Sequence, residues 1–442
     1  MIRRILAIGF FLVLIVPDML GWEVSLAPGL SIKNVFLYLL FIGLGLQMAV
    51  EGRFREIELP TVHLIFLLLI FDAIFMWLFA SMVANYRNYD AADGLIALKG
   101  LLIDHYLVFL VYFYLLRTGD DAMWVMERIL WITVAINTLI VIDSYDIPDL
   151  GIVGQDELGR VQGALDDHRA GANEYARFLI LFLPALLFGI VTAAGRKRYI
   201  YMAGVLMSAA ALILTTSRGA FIGLFAGFLV AAFYLRRLVP LKTIAKPAAA
   251  IVVGTILMGI VASSEFSQLF YARFVENASI SDVESATSGR NVIWGNALVQ
   301  QAQAPYTFLI GYGWRAYTSM DFRYGTHNHY LSYLFNLGAV GLGLFLALSA
   351  QIIRLAKQGA ELTDGAVKFQ LLAFIIGSFC LLIAVFFSEI FRVWLFFWAY
   401  AGIAMRMCVG AMEVVTPTYI DRRMQKQGPQ SASSSRGENL LH

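Results

Sequence analysis

The apolar residues of this chain come in blocks long enough to cross a lipid bilayer, and this pattern constrains the fold more than any other. A membrane-spanning helix needs roughly 20 predominantly apolar residues, and such blocks recur along the sequence. Hydrophobic residues fill 60% of the 442 positions and charged residues only 14%, whereas soluble proteins carry about 25% charged residues. The sequence therefore predicts an all-α polytopic integral membrane protein.

Hydropathy predicts about twelve transmembrane helices. Their ranges are 4–20, 32–50, 61–84, 95–116, 122–143, 173–194, 199–216, 218–235, 247–264, 329–353, 367–387 and 389–409. Lysine and arginine are frequent in every second connecting loop and scarce in the others. Because basic loops stay in the cytoplasm, we expect both termini to be cytoplasmic.

A single membrane domain accounts for most of the chain. We expect it to cover residues 1–410 and to include two outward-facing loops, 144–172 and 265–328. Residues 411–442 would form a cytoplasmic tail, and its polar, Gly/Ser-rich composition predicts disorder. The first apolar run follows Arg3 and Arg4 as in a signal peptide, but no small-residue cleavage site follows it, so we expect an uncleaved helix.

One outward-facing arginine stands at a predicted helix start. Ser217 is a plausible N-cap, and Arg218 follows it in the first turn. The free backbone N–H groups and the positive end of the helix dipole would then lie beside the guanidinium, a combination that suits phosphate. The alternative is an arginine that reaches for lipid headgroups.

A second outward-facing arginine lies in the large loop. Ser288 and Gly289 resemble a helix start, which places Arg290 in the first turn and Trp294 one turn later. Arg290 is a second candidate for an anion site. An interfacial helix explains the same residues, with Trp294 at the headgroup level and Arg290 on lipid phosphate.

The segment before residue 173 holds a third group of charges. Arg169 follows Asp166, Asp167 and His168. Two adjacent carboxylates and one histidine are a weak metal-ligand set, so a solvated loop is the favoured interpretation. Farther along, Glu174 and Arg177 could pair with each other.

Two histidines precede the tenth predicted helix, in the stretch "THNHYLSYLFNLGAVGLG". At about 100° per residue, Gly338 lies three turns from His327 and is rotated by only about 20°, and Gly341 lies near the same face. His329 should point elsewhere. Asn328 could simply cap the helix, and the glycines could serve tight helix packing. The functional interpretation is a slot for a lipid chain beneath a catalytic histidine.

His327-Asn328, nine further residues and then Gly338-x-x-Gly341 resemble the signature of the bacterial O-antigen ligases, within a wider ligase and polymerase superfamily. This resemblance implies a GT-C-like membrane glycosyltransferase of the bacterial inner membrane. The family transfers a glycan from undecaprenyl pyrophosphate to a lipid A–core sugar on the periplasmic face. The resemblance also implies that no metal, other cofactor or nucleotide sugar takes part.

The resemblance implies roles for individual residues. His327 matches the family's essential histidine and would be the base of an inverting transfer. Arg218 and Arg290 match arginines associated with the pyrophosphate, and Asn328 would orient His327 or the donor. Arg169 is a weaker match, and His329 is not a fixed part of the signature.

Two other functions remain open from the sequence. An O-antigen polymerase would use the same donor with a second lipid-linked glycan as acceptor. A transporter or flippase for the lipid-linked glycan would also have about twelve helices, but its ionisable residues should lie near the middle of the membrane. The sharpest polar cluster here lies at the outer end of the helices, which favours an enzyme.

Overall fold

A computed structural model describes residues 1–19, 24–52, 58–84, 86, 88–144, 171–240, 289–320, 326–389 and 391–426. Several sequence predictions fall outside these ranges: the helix at 247–264, Arg169 with its acidic neighbours, most of the loop 144–172, part of the loop 265–328, and the tail from residue 427.

The described residues are almost entirely helical. The helices are α1 (Ile2–Met19), α2 (Ile32–Val50), α3 (Pro60–Leu78), α4 (Ala91–Leu98), α5 (Asp104–Leu115), α6 (Gly119–Ser144), α7 (Gly171–Thr192), α8 (Arg196–Leu214), α9 (Arg218–Leu235), α10 (Arg290–Gln303), α11 (Thr307–Ile310), α12 (His329–Leu362), α13 (Gly365–Ala384) and α14 (Val393–Lys426). A π-helical turn at Phe79–Val83 extends α3, and another at Lys99–Ile103 joins α4 to α5. Short 3₁₀ turns lie at Ala316–Ser319 and Val385–Phe387, and β1 (Ser25–Ala27) and β2 (Leu30–Ser31) form a small antiparallel hairpin.

Ten helices among the described residues are long and apolar enough to cross a membrane. This confirms the all-α polytopic class. The predicted helices that fall on described residues agree with observed ones to within a few residues at most ends. The largest differences are at the C-terminal ends of two helices: α12 continues to Leu362 and α14 to Lys426, past the predicted domain boundary at residue 410.

Two of three regularly spaced glycines on α9 bring that helix into close contact with α13, and the third lies against Phe387 just beyond α13. Gly219, Gly223 and Gly227 recur every fourth residue on α9. A Cβ atom on Gly227 would lie 2.5 Å from Cys380 Cα, and one on Gly223 would lie 2.7 Å from the Cys380 carbonyl oxygen. Small residues let helix backbones approach in this way inside membranes. The packing fixes the start of α9, which carries Arg218, against the end of α13.

Two charged residues of the deeply buried helix α7 organise the junction between α13 and α14. Glu174 accepts hydrogen bonds from the backbone N–H groups of Phe391 and Val393, at 2.7 and 3.0 Å, and so satisfies the first turn of α14. Arg177 donates to the carbonyl oxygens of Asn173 and Ala384, at 2.7 and 3.2 Å. Glu174 and Arg177 are also close enough to interact electrostatically, as the sequence suggested, while each side chain makes its hydrogen bonds to backbone groups.

Helix α12 is broken at Gly338, where φ is 66° and ψ is −167°. The break leaves two carbonyl oxygens without their usual helical partners. The Phe335 oxygen accepts from Tyr312 N at 2.8 Å, and the Asn336 oxygen accepts from Gly313 N at 3.0 Å. A Cβ on Gly338 would collide with the carbonyl oxygen of Leu309. Gly338 thus allows the segment after α10 to dock on α12.

This arrangement corrects the suggested lipid slot. Gly338 packs against the backbone of α11, and a Cβ on Gly341 would lie 2.9 Å from Asp72 Oδ2 of α3. Both glycines therefore serve close packing, the alternative that the sequence had left open. The helical rotation used to align them with His327 does not apply, because α12 begins only at His329 and bends at Gly338.

Candidate active site

His327 lies in a short loop whose neighbours hold it in a strained conformation. Its φ is 48°, in the left-handed region that few non-glycine residues adopt. The Thr326 hydroxyl donates to the Asn328 carbonyl oxygen at 3.1 Å, which ties the residues on either side of the histidine together. Such strain costs of order 1 kcal/mol or more and persists where the surroundings enforce it. The surroundings of His327 therefore select one orientation of its backbone.

Asn328 acts as the N-cap of α12. Its side-chain oxygen accepts from Leu331 N at 3.0 Å, and the residue is buried. Because that oxygen is used by the helix, the observed contact supports a positioning role for Asn328 beside His327 rather than a contact between this oxygen and a donor. His329, expected to point elsewhere, lines the same cavity as His327.

Arg290 stands in the first turn of α10, as the sequence indicates, after Gly289 with a φ of 73°. It is close enough to His327 and Arg177 to interact electrostatically with both. Partial withdrawal from solvent lowers the pKa of His327, and the positive charge of Arg290 lowers it further. A pKa below the usual value of about 6.5 keeps this imidazole largely neutral at pH 7.

Trp294 attaches α10 to the His327 loop. Its indole N–H donates to the Thr326 carbonyl oxygen at 3.0 Å, and its ring meets Phe386 edge-on at 5.3 Å. This hydrogen bond is made to the protein, so Trp294 does more than mark a membrane interface. It places the helix that carries Arg290 beside the histidine.

Arg218 stands in the first turn of α9 and is half-buried. Ser217 does not cap that helix with its side chain; its hydroxyl donates instead to Asn173 Oδ1 of α7 at 2.9 Å. A Cβ on Gly219 would lie 3.1 Å from the Arg177 guanidinium. Arg177 is therefore near both the start of α9 and Arg290, so both arginines named from the sequence approach the same part of the bundle.

A cavity of about 560 Å³ opens beside His327. Residues that line it come from α3, the π turn before α5, α5, α7, the loop after α11, α12, the α13–α14 junction and α14. Its polar part includes Thr326, His327, Glu389 and Arg315, and the remainder is rich in aromatic side chains. Within the described chain, the lining includes neither Arg218 nor Arg290.

Glu389 is a site residue that the sequence reasoning missed. It accepts from the Ser332 hydroxyl at 2.6 Å, and at 3.2 Å it shares the single hydrogen of the Thr326 hydroxyl with the Asn328 carbonyl oxygen. Burial raises the pKa of Glu389, although these two hydrogen bonds and the charge of Arg315 oppose the shift. Its position inside an apolar block was a usable signal, since carboxylates at membrane depth are rare and often functional.

Arg315 was also missed, in the loop that docks on the broken part of α12. Its φ is 62°, and its guanidinium lies 3.2 Å from Asp93 of α4. The interaction holds Arg315 at the wall of the cavity. The charged groups around the cavity thus come from segments distant in sequence, which sequence spacing alone does not bring together.

Comparisons with known proteins agree with this arrangement. Residues 202–346 match the O-antigen ligase family. The matched segment contains Arg218, Arg290, His327 and both signature glycines. The chain has no match among curated proteins. This match over residues 202–346 confirms the family resemblance drawn from the His327–Gly341 signature.

Proposed function

We propose that this protein is an O-antigen ligase that transfers a glycan from undecaprenyl pyrophosphate to a lipid A–core sugar on the periplasmic face of the bacterial inner membrane. The observation that carries the proposal is the placement of His327. It stands in a strained loop at the mouth of a cavity, beside Arg290, within a domain of this family.

His327 would act as the base. It would take the proton of the acceptor hydroxyl as that oxygen attacks the anomeric carbon of the donor sugar. The bond between the anomeric carbon and the pyrophosphate oxygen breaks on the opposite side, so the configuration inverts. General-base catalysis of this kind typically contributes 10²–10⁴-fold. The lowered pKa of His327 supports the role, because only the neutral imidazole can accept a proton.

Arg218 and Arg290 would stabilise the departing pyrophosphate. Arginine presents a planar set of donors that matches phosphate oxygens, and it stays charged. Both arginines stand in first turns of helices, where the positive end of the dipole adds to their charge. Fixed positive charge aimed at the leaving group can do this without a metal ion, so we expect no metal requirement. Arg169, which lies outside the described residues, remains a weaker candidate for the same task.

Glu389 would position the histidine loop. Its carboxylate joins Thr326, directly before His327, to Ser332 in the first turns of α12. This carboxylate holds both ends of the short segment that carries the base. Asn328 supports the same segment as the helix cap.

An O-antigen polymerase is the nearest alternative, because it needs the same donor and the same base. The sequence signature favours a ligase only weakly. A flippase is less well supported, since several charges inside the bundle are engaged in structural contacts. Lys99 and Asp104 form an ion pair at 3.0 Å, and Arg177 bonds to two backbone oxygens.

The product separates the three alternatives. Purified protein in liposomes would receive undecaprenyl-pyrophosphate glycan and lipid A–core, with EDTA present throughout. A lipid A–core band of lower gel mobility, formed by the wild type, supports the ligase. Longer donor glycans with unchanged lipid A–core would identify a polymerase, and donor movement across the bilayer without either product would identify a flippase.

A further inference from the structure

The cavity extends beyond His327 into the bundle, where its wall is largely aromatic. This deeper part, hereafter the aromatic floor, is lined by Phe66, His329, Tyr333, Phe345, Trp394 and Trp398. The His329 ring centroid lies 5.0 Å from that of Trp394 and 5.4 Å from that of Phe345. His329 and Trp394 therefore share one wall. Neither residue has a role in the proposed transfer.

Two polar atoms in this wall have no hydrogen-bond partner within the described part of the chain. They are Nδ1 of His329 and Nε1 of Trp394, on side chains that are only 8% and 3% exposed. Buried polar atoms are normally paired, and an unpaired one costs of order 1–3 kcal/mol. An occupant of the cavity that supplied the partners would remove this cost.

The chemistry of the floor discriminates between three kinds of occupant. A prenyl chain would pack well on the rings but would leave both nitrogens unpaired. A phosphate group would need positive charge, and the cationic side chain of the described lining is Arg315, which is paired with Asp93 near the polar part. A sugar ring fits best, because its C–H face can lie on aromatic rings while its hydroxyls both donate and accept hydrogen bonds.

We propose that the aromatic floor is a sugar subsite, in which His329 and the Trp394 indole N–H bind hydroxyl groups of one substrate saccharide. The proposal rests on the proposed function, since it assigns a sugar to the same cavity. The saccharide belongs either to the donor or to the acceptor, and the chemistry of recognition is the same for both. His329 would thus be a binding residue, distinct from the base at His327.

Kinetics of two conservative variants test this subsite. His329→Phe and Trp394→Phe keep an aromatic ring and remove the polar atoms, and His329→Gln restores a hydrogen-bonding group. Trp131→Phe is the matched control, because its indole nitrogen is also buried without a bond in the described residues but lies outside the cavity lining. Initial rates in liposomes would give KM for donor and for acceptor, with full-length and shortened prenyl chains on the donor.

We expect the two Phe variants to raise KM for one saccharide substrate roughly three- to tenfold, the value of a lost hydrogen bond. The increase should be the same for both prenyl lengths, smaller in His329→Gln and absent in Trp131→Phe. A change in the donor KM would assign the subsite to the donor sugar. A change in the acceptor KM would assign it to the acceptor sugar.

Unchanged KM values for both substrates would overturn the subsite, as would an increase that disappears when the prenyl chain is shortened. Failure of the proposed function gives a different result, namely no transfer by the wild type. If His329→Phe does not fold, as judged by thermal unfolding, Trp394→Phe and His329→Gln decide the outcome.

Discussion

The hydroxyl of Ser332 lies 2.6 Å from Glu389 Oε1, and this bond joins the first turns of α12 to the junction between α13 and α14. The second carboxylate oxygen accepts from Thr326, next to His327. One buried carboxylate therefore holds the histidine loop from both sides. The geometry of the histidine loop therefore depends on a residue in the last fifth of the sequence.

Replacing Glu389 with Gln should lower kcat about tenfold or more and leave KM nearly unchanged. A buried hydrogen-bonding group left unpaired costs roughly 1–3 kcal/mol, and the Gln amide offers a donor where one of Ser332 and Thr326 now meets an acceptor. Ser332→Ala, which removes one of the two bonds, should show a smaller decrease. The measurement is steady-state transfer with both substrates varied. An effect confined to KM would show that Glu389 binds substrate instead.

The pH dependence of transfer should show the electrostatic coupling between Arg290 and His327. As the base, His327 must be neutral, so kcat/KM should fall as the pH drops through its pKa. Burial and Arg290 lower that pKa, which places the acid limb below the usual value of about 6.5. Arg290→Gln removes one of the two causes of the lowered pKa of His327 and should therefore move the acid limb of the profile to higher pH.

Arg218→Gln is the control for this shift. It should lower the rate through weaker donor binding but should leave the acid limb in place, because the causes of the lowered pKa of His327 are burial and Arg290. The profile of log kcat/KM against pH would be recorded for all three proteins. An acid limb that stays fixed in Arg290→Gln would contradict the coupling.

Gly338→Ala should reduce both stability and activity. The added Cβ would meet the Leu309 carbonyl oxygen, and a φ of 66° is unfavourable for alanine. Together these effects should cost about 1–3 kcal/mol. Gly343→Ala is the matched control, since its Cβ would meet nothing within 4 Å. Thermal unfolding in detergent, followed by transfer assays, should give a lower unfolding midpoint and a lower rate for Gly338→Ala than for Gly343→Ala. Equal unfolding midpoints for the two variants would disprove the docking role of Gly338.

Trp294→Phe should lower kcat several-fold without unfolding the protein. Phenylalanine keeps a ring against Phe386 but loses the hydrogen bond to the Thr326 carbonyl, worth about 1 kcal/mol. Val292→Ala, at an exposed position on the same helix, should have wild-type kinetics. If both variants retain full kcat, α10 does not position the His327 loop.

The sequence predicted those features that depend on local chemistry. Hydropathy located the membrane helices, and glycine or serine followed by arginine marked the helix starts at Arg218 and Arg290. The packing role of Gly338 could not be predicted from local chemistry. A helical projection assumes a continuous helix, whereas the backbone turns at that residue. Glu389 was hidden for a related reason: residues 389–409 look like one apolar helix, but the observed helix begins at Val393. Its importance comes from contacts with distant residues, which spacing does not reveal.

The most direct test of the central proposal is the rate of glycan transfer by His327→Gln, measured in EDTA with saturating donor and acceptor. Donor binding would be measured in parallel by competition with undecaprenyl pyrophosphate. We expect a loss of at least 10²-fold in kcat, with donor binding within a few-fold of the wild type. Transfer at the wild-type rate by this variant would contradict the assignment of His327 as the base.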